Sequence, residues 1–491
     1  MISLAPLDQA ILLCYFVAVL GVGFSASRSG KARSAVEFLL AGRSLTLPVF
    51  VMTLVSTWYG GILGVGEFTY RFGVSNWVVQ GLPYYLFSFL FALLLAGRIR
   101  ETGLATIPDK LQSTYGRGTA LLGSFLTFLL MTPAPYVLML AALLHLVTGW
   151  PMMVCLVGGT AASTVYLWTG GFRSDVATDV LEFALMFIGF AVILPFAFLR
   201  FGGVGYLTAN LPPAHLSWHG GHGAQYLLVW FLIALWTFVD PAFHQRCYAA
   251  ASASVARKGI LVAIVFWMVF DAMTLTAGLY ARAALPDLAT PVMAYPMLAE
   301  SVLPPGAKGL FYVGMLATIM STLNTLALVS ATTLGRDILW RWRGEAPGEG
   351  ERRRTRWGLV VTALLSILLA ILVPSVVMLW YTIGTVIVPG LLVPLVTSFF
   401  PRLTAPPRYA FGAMLFGWLV SLSWLIAGWS GGLGRSDGYP LGVEPMVPGL
   451  LVSVGVWLAG LGRKREGIPP TARGCAPRED REREKGCVTK V

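Results

Sequence analysis

Between positions 318 and 325 the chain places five oxygen-bearing side chains, Thr318, Ser321, Thr322, Asn324 and Thr325, inside an uncharged apolar run, LFYVGMLATIMSTLNTLALVSATTLG (310–335). On a helix, 318, 321, 322 and 325 stand at i, i+3, i+4 and i+7 and share one face. Hydroxyls at membrane depth cost free energy unless something uses them. A small hard cation such as Na+ would, because it wants several oxygen ligands. Singly, each hydroxyl could instead bond back to the i−4 carbonyl or bridge two helices. Clustered, the five point to an ion site.

Three further stretches carry polar groups into apolar sequence. In STWYGGILGVGEF (56–68), Gly60, Gly61, Gly64 and Gly66 crowd into seven residues. Glycine in a helix interior costs up to ~1 kcal/mol relative to alanine. The helix is expected to unwind here and expose carbonyls, which a bilayer tolerates only at a cavity or an ion; close GxxxG-type packing is the alternative. Glu67, just beyond, either lines a vestibule or lies shallow enough to be wet, the second being the expectation. Asp240–Pro241 sets a second interruption, because proline removes a helix hydrogen bond and pushes its predecessor out of the helical region. Asp240 then has a functional role or pairs with Arg246. Asp179, with Glu182 one turn later, opens an apolar run and is expected to be solvated at its mouth, with Asp175 in the loop before it. His215, His219 and His222 have a metal-like spacing, but the Pro and Gly around them argue against a helix. The five cysteines show no CxxC, and neither a disulfide nor a metal site is expected.

The elements that must position these groups are membrane helices. The 491 residues are 56% hydrophobic and 12% charged, about half the charge of a soluble domain, with mean hydropathy +0.73. Continuous apolar runs of bilayer length give an all-α polytopic protein of about 13 transmembrane helices rather than a β-barrel. They fall near 7–26, 46–70, 76–97, 119–147, 150–169, 177–199, 225–248, 259–283, 309–334, 357–374, 376–399, 409–428 and 446–462. The first lacks a basic leader and a cleavage site and reads as a span. With the N-terminus outside, 30 of the 35 Lys and Arg fall in inner loops, so the positive-inside rule predicts a multi-pass cell (inner) membrane protein, N-terminus out and C-terminus in. The net charge of +12 is then a topology signature and an attraction to anionic lipid, with no nucleic-acid partner implied.

The two interrupted spans, second and seventh, stand five apart, the pattern of an inverted-repeat transporter with a midplane site. The expected organisation is a first span and basic loop (1–45), a first repeat of spans 2–6 (46–200), a second of spans 7–11 (201–400), two further spans (401–462) and a disordered inner tail (463–491). The polar loop 336–356 is expected inside.

Four stretches, in order, resemble the sodium:solute symporter family, which includes sodium/proline, sodium/sugar and sodium/sialic acid carriers: FLLAGRSLTLP (38–48), ATIPDKLQSTYGRG (105–118), GGFRSDVATDVLEFALMFIG (170–189) and LATIMSTLNTLALVSATTLGRDIL, which closes on Asp337. The resemblance implies the LeuT-type five-plus-five inverted repeat with flanking helices. It implies a principal sodium site from the carbonyls of Ser56, Tyr59 and Thr318 and the hydroxyls of Ser321 and Thr322. A second cation site of some members would correspond to Asp179, Ser321, Asn324 and Thr325, where Asn324 stands in place of a usual hydroxyl. Trp58 replaces a carboxylate of the proline carriers, and Asp240 falls where amides are common. An anionic Asp240 suits a substrate with an ammonium group, or a coupled proton or cation. Trp58, Tyr59, Tyr84 and Trp236 are candidate walls and gates, with Gln80 a further substrate-binding candidate.

The function expected is sodium-coupled symport of a small polar organic solute by alternating access, with Na+ as coupling ion, no cofactor and no obligate protein partner. A proton-coupled carrier using Asp179 or Asp240 is the alternative within transport. A solute sensor would need a signalling domain, for which 29 residues after 462 are too few. An enzyme is disfavoured, since no HExxH, GxSxG or P-loop occurs.

Overall fold

The computed structural model describes Ile2 and residues 4–28, 35–343, 350–373, 376–428 and 438–466. Regular structure among them is helical, apart from one backbone bridge between Leu45 and Ala250. Twelve helices are long and apolar enough to cross a bilayer, thirteen with one bent pair counted as a span. They are span 1 (Pro6–Arg28), span 2 (Leu47–Trp58 and Ile62–Phe72), span 3 (Trp77–Glu101), span 4 (Arg117–Thr148), span 5 (Met152–Gly170), span 6 (Phe172–Phe201), span 7 (Ala224–Ala249), span 8 (Ala253–Ala284), span 9 (Ala307–Trp342), span 10 (Glu351–Leu372), span 11 (Leu379–Ser398), span 12 (Pro407–Gly428) and span 13 (Met446–Arg463). The number and order are those expected.

Span 9 is the centre of the bundle. Its most apolar window is 100% buried, against 22% for spans 1 and 13, which face outward. Small residues permit this. A Cβ on Gly189 of span 6 would lie 2.7 Å from the Cα of Gly314 of span 9, so the two backbones touch, the close approach that glycine allows between membrane helices. The start of span 9 is capped from a distant helix. Asp8 of span 1 accepts from the amides of Gly306 and Gly309, both at 2.7 Å, satisfying donors that a helix N-terminus leaves free.

Both expected interruptions are present. Span 2 bends by 58° between Trp58 and Ile62, so the unwinding is confined to residues 59–61, and Gly64 and Gly66 remain helical. Span 7 tightens into a 3-10 turn over Ala234–Phe238 and restarts at Pro241. Span 4 carries a third break, between Leu130 and Ala134 at Pro133, which the apolar run concealed. Wide π turns occur at Trp77–Gly81, Ala92–Ala96 and Thr333–Ile338.

Several expectations are corrected. Asp175 lies in the first turn of span 6 and is fully buried, because Gly171 turns the chain at φ +56° and starts the helix early. Asp179 and Glu182 are also buried rather than solvated; Glu182 accepts from the Tyr15 hydroxyl at 3.1 Å. Residues 336–343 continue span 9 as helix instead of looping away. Two short helices, Val204–Asn210 and Pro213–Leu216, form among the Pro and Gly of 201–224. His215 turns its Nε2 to the Tyr70 carbonyl at 3.0 Å and His222 stacks on Tyr226 at 4.0 Å. No metal-holding cluster occurs among the described residues. Glu67 pairs with Arg71 at 3.0 Å near the surface. The tail beyond Glu466 lies outside the described residues.

Candidate functional site

The break in span 2 packs directly on span 9. Thr322 donates from Oγ1 to the Thr57 carbonyl at 2.6 Å. A Cβ on Gly60 would sit 2.3 Å from Thr322 Oγ1, and one on Gly61 would sit 1.9 Å from the Trp380 ring. Only hydrogen at both positions lets the break meet span 9 on one side and Trp380 on the other. The last turn of a helix leaves its carbonyls without intrahelical partners; Ser56 belongs to that turn and Tyr59 is the residue that ends it. Ser321 donates to Asp179 Oδ1 at 2.6 Å, and Thr318 donates to the Met315 carbonyl at 2.7 Å. With their protons committed, the hydroxyls of Ser321 and Thr322 offer lone pairs only, the arrangement a metal ligand needs. The structure thus brings Thr322 against the segment that carries Ser56 and Tyr59, with Thr318 and Ser321 on the adjacent turn of span 9. The Tyr59 side chain points elsewhere, donating to the Trp267 carbonyl at 2.9 Å.

The second group, Asp179, Ser321, Asn324 and Thr325, is reached by a cation belonging to the chain. Arg246, in the second half of span 7, is completely buried. A single nitrogen, Nη2, lies 2.7 Å from Thr57 Oγ1, 2.8 Å from Thr325 Oγ1, 3.0 Å from Thr53 Oγ1 and 3.1 Å from Asp179 Oδ2. Asp175 Oδ2 is 3.6 Å away and also accepts from Thr325 at 2.8 Å. Four oxygens around one nitrogen is more than its two hydrogens can serve singly, so the guanidinium occupies an oxygen cage. Asn324 is turned away from it, bonded to Ser163 and Tyr166 of span 5. The expected alternative of an Asp240–Arg246 pair is therefore not realised: Arg246 pairs with Asp175 and Asp179. Asp240 instead caps the restarted helix, accepting at Oδ1 from Ala242 at 2.7 Å and Phe243 at 3.1 Å.

Beside the break lies a cavity of about 170 Å³. Trp58, Gln80, Tyr84, Trp236 and Asp240, the five substrate or gate candidates, all line it. Trp58 meets Tyr84 and Phe243 edge-on at centroid distances of 5.1 and 5.2 Å. Thr322 is shared between this cavity and the break. Sequence reasoning missed Asp271, which lines the cavity from span 8 and accepts from the Tyr85 hydroxyl. A lone acid inside the apolar run 259–283 was its signal. It also missed Trp77, Tyr136 and Trp380, whose types are indistinguishable from packing residues in a one-dimensional reading.

At the far end of span 9 a polar cluster joins three elements. Asp109, on the short helix Ile107–Tyr115, pairs with Arg336 at 3.0 Å and with Arg341; Arg336 also pairs with Glu351 and, at 2.9 Å, with Asp337. Burial works against charge on Asp109, yet the Arg336 and Arg341 guanidiniums hold its carboxyl below the usual carboxylate range. Beside the end of span 2, burial pushes the His215 ring below its ordinary value.

A model of the sodium:solute symporter family matches residues 38–417. The chain is 26% identical over 472 residues to a sodium/pantothenate symporter of Escherichia coli strain K12, with 91% of this chain and 95% of that protein covered. It is 25% identical over 436 residues to sodium/glucose cotransporter 4 of Danio rerio, covering 76% of this chain and 64% of that one. Among solved structures, a substrate-bound outward-open Na+-coupled sialic acid symporter superposes with a TM-score of 0.76 at 17% identity, covering 95% and 98% of the two chains. Mhp1, a nucleobase-cation-symport-1 family transporter, superposes at 0.55 with 12% identity, covering 89% and 97%. These two structural likenesses are likenesses of fold.

Proposed function

Because the chain belongs to the sodium:solute symporter family, we propose that it uses the inward flow of Na+ to carry a small polar organic solute across the cell membrane by alternating access. The observation that carries the reading is the contact between the span 2 break and span 9, where Thr322 Oγ1 and the Thr57 carbonyl stand 2.6 Å apart. The carbonyls of Ser56, Tyr59 and Thr318 and the hydroxyls of Ser321 and Thr322 would hold the ion. Trp58, Gln80, Tyr84, Trp236 and Asp240 would contact the solute next to it. Thr322 faces both the ion and the cavity, so the two ligands would stabilise one another through a shared wall. One Na+ supplies ~2.3 kcal/mol per 100 mV before its concentration gradient is counted. The distribution of Lys and Arg supports an outer N-terminus and an inner C-terminus.

The test is uptake into proteoliposomes, with a panel of amino acids, sugars, carboxylates and amines screened first by thermal shift. Uptake requires an inward Na+ gradient; equal uptake in KCl would reject sodium coupling. A second reading, proton coupling, rests on Asp240, which lines the cavity with no ion-pair partner among the described residues. Collapsing only the pH gradient at fixed Na+ separates the two.

A further inference from the structure

The cavity beside the span 2 break has an unusual charge balance. Its 25 lining residues include two carboxylates, Asp240 and Asp271, and no Lys, Arg or His. Neither carboxylate has a salt-bridge partner within 4 Å among the described residues. The guanidinium that could have neutralised them, Arg246, is committed to Asp175 and Asp179 and does not line the cavity. The two acids come from different elements. Asp240 is the cap of the restarted half of span 7, and Asp271 projects from the middle of span 8. Each accepts from neutral donors: Asp240 takes two backbone amides on Oδ1 with the Trp236 side chain also beside it, and Asp271 takes the Tyr85 hydroxyl with the Tyr59 side chain also beside it. Next to Asp271 the wall is stripped back, since a Cβ on Gly81 would come 3.2 Å from Asp271 Oδ2. Ten of the 25 lining residues are aromatic.

Aromatic faces attract cations and repel anions through the ring quadrupole. Buried carboxylates that have neutral donors but no ion-pair partner favour a cation, a proton or a donor-rich ligand. An anionic solute would meet two like charges and no opposite one, which is costly in a desolvated site. Chemically this cavity is the inverse of an acid-binding pocket.

We infer that the solute carries a positively charged nitrogen, a protonated amine or a quaternary ammonium group, held by Asp240 and Asp271 between the aromatic walls of the cavity. This rests on the reading of the chain as a carrier whose solute enters that cavity. It separates the chain from an acid carrier such as the sialic acid symporter whose fold it shares. Solute and Na+ would then bring two positive charges inward together.

The experiment measures thermal stabilisation of the purified full chain by four probes: choline and phenethylamine as ammonium compounds, phenylacetate as the carboxylate counterpart, and glucose as a neutral polar solute. Each is titrated in NaCl and in KCl. At least one ammonium probe stabilises the protein saturably, phenylacetate does not, and Asp240→Asn and Asp271→Asn each raise the half-saturating concentration of the ammonium probe at least tenfold. Monodisperse elution and unchanged helical circular dichroism show that each variant is folded. Stabilisation by phenylacetate without the amines, no response to either amine, or amine affinity unchanged in both variants overturns the inference. If sodium coupling fails instead, NaCl and KCl give equal responses in the parent, while amine binding and its loss in the two variants persist.

Discussion

Replacing Arg246 by methionine tests the buried cage around it. The side chain and both its carboxylate partners are fully buried, with Nη2 at 3.1 Å from Asp179 and 3.6 Å from Asp175. Arg246→Met removes the only guanidinium in this cluster and leaves two carboxylates facing each other across an oxygen cage. Removing one partner of a buried pair costs about 3–5 kcal/mol, and methionine recovers part of the lost packing but none of the charge. The four oxygens of Thr53, Thr57, Thr325 and Asp179 would remain within about one ion's reach of a common centre. A freed cage of that composition should accept Na+. If it does so with sodium at one hundred times its dissociation constant, mass action restores about 2.7 kcal/mol. Melting curves of parent and variant, recorded across NaCl titrations balanced with KCl, therefore show a low-melting variant in KCl and a sodium-induced rise larger than the parent's. Sodium dependence of uptake steepens as a second ion joins the first. Adding Asp179→Asn to the variant abolishes the extra sodium response. The reasoning is refuted if Arg246→Met melts with the parent in KCl, or if its sodium response is no larger.

Other expectations concern the break, the hydroxyl pair and the polar cluster. Thr322→Ala removes a hydroxyl committed to the Thr57 carbonyl; losing one ion ligand worth about 1.4 kcal/mol raises the half-saturating Na+ roughly tenfold, read from sodium titrations of uptake, and Ser321→Ala acts in the same direction. Gly61→Ala places a methyl 1.9 Å from the Trp380 ring; overpacking of this kind costs about 1–3 kcal/mol, seen as a lower melting temperature and reduced uptake, whereas Gly158→Ala, inside a helix and meeting nothing within 4 Å, melts at or above the parent. Asp109 has its pKa lowered in the fold, so its contribution is present above the ordinary carboxylate value and is lost as pH falls through the folded one. Acid melts of Asp109→Asn should consequently lose less stability than the parent over that window below about pH 4.

What the sequence made legible was set by chemistry that is rare in its surroundings. Hydroxyls in an uncharged run, four glycines in seven residues and an Asp-Pro step are each improbable inside a membrane helix, and all three mark places where the structure departs from simple packing. The inverted-repeat pattern followed from the two interrupted spans, the LeuT-type fold was implied by the resemblance to the family, and solved structures share it. The depth of the acids was not legible. Asp175, Asp179 and Glu182 stand at the edge of an apolar run, where burial and exposure give the same string of letters. Burial of Asp175 and Asp179 depends on Arg246 arriving from a span 67 residues beyond Asp179, and that of Glu182 on the Tyr15 hydroxyl of span 1. Asp271 was passed over for the opposite reason, as one acid within a run hydrophobic enough to be called a span without it. The break in span 4 was hidden because Met131–Pro133 interrupts the helix without interrupting its hydropathy.

The cap that Asp8 places on span 9 reaches across 298 positions of sequence from a segment that precedes the stretch matched by the family model. Ribosomes add about 5–20 residues per second, so the first helix waits in the bilayer for roughly 15–60 s before the amides it must satisfy are synthesised. During that interval the Asp8 carboxylate has only its local partner, the Ala5 amide at 3.1 Å, and the most deeply enclosed helix of the bundle cannot seat correctly unless span 1 has kept its place. The N-terminal helix is thus part of the assembly programme of the molecule, as well as part of its outer wall.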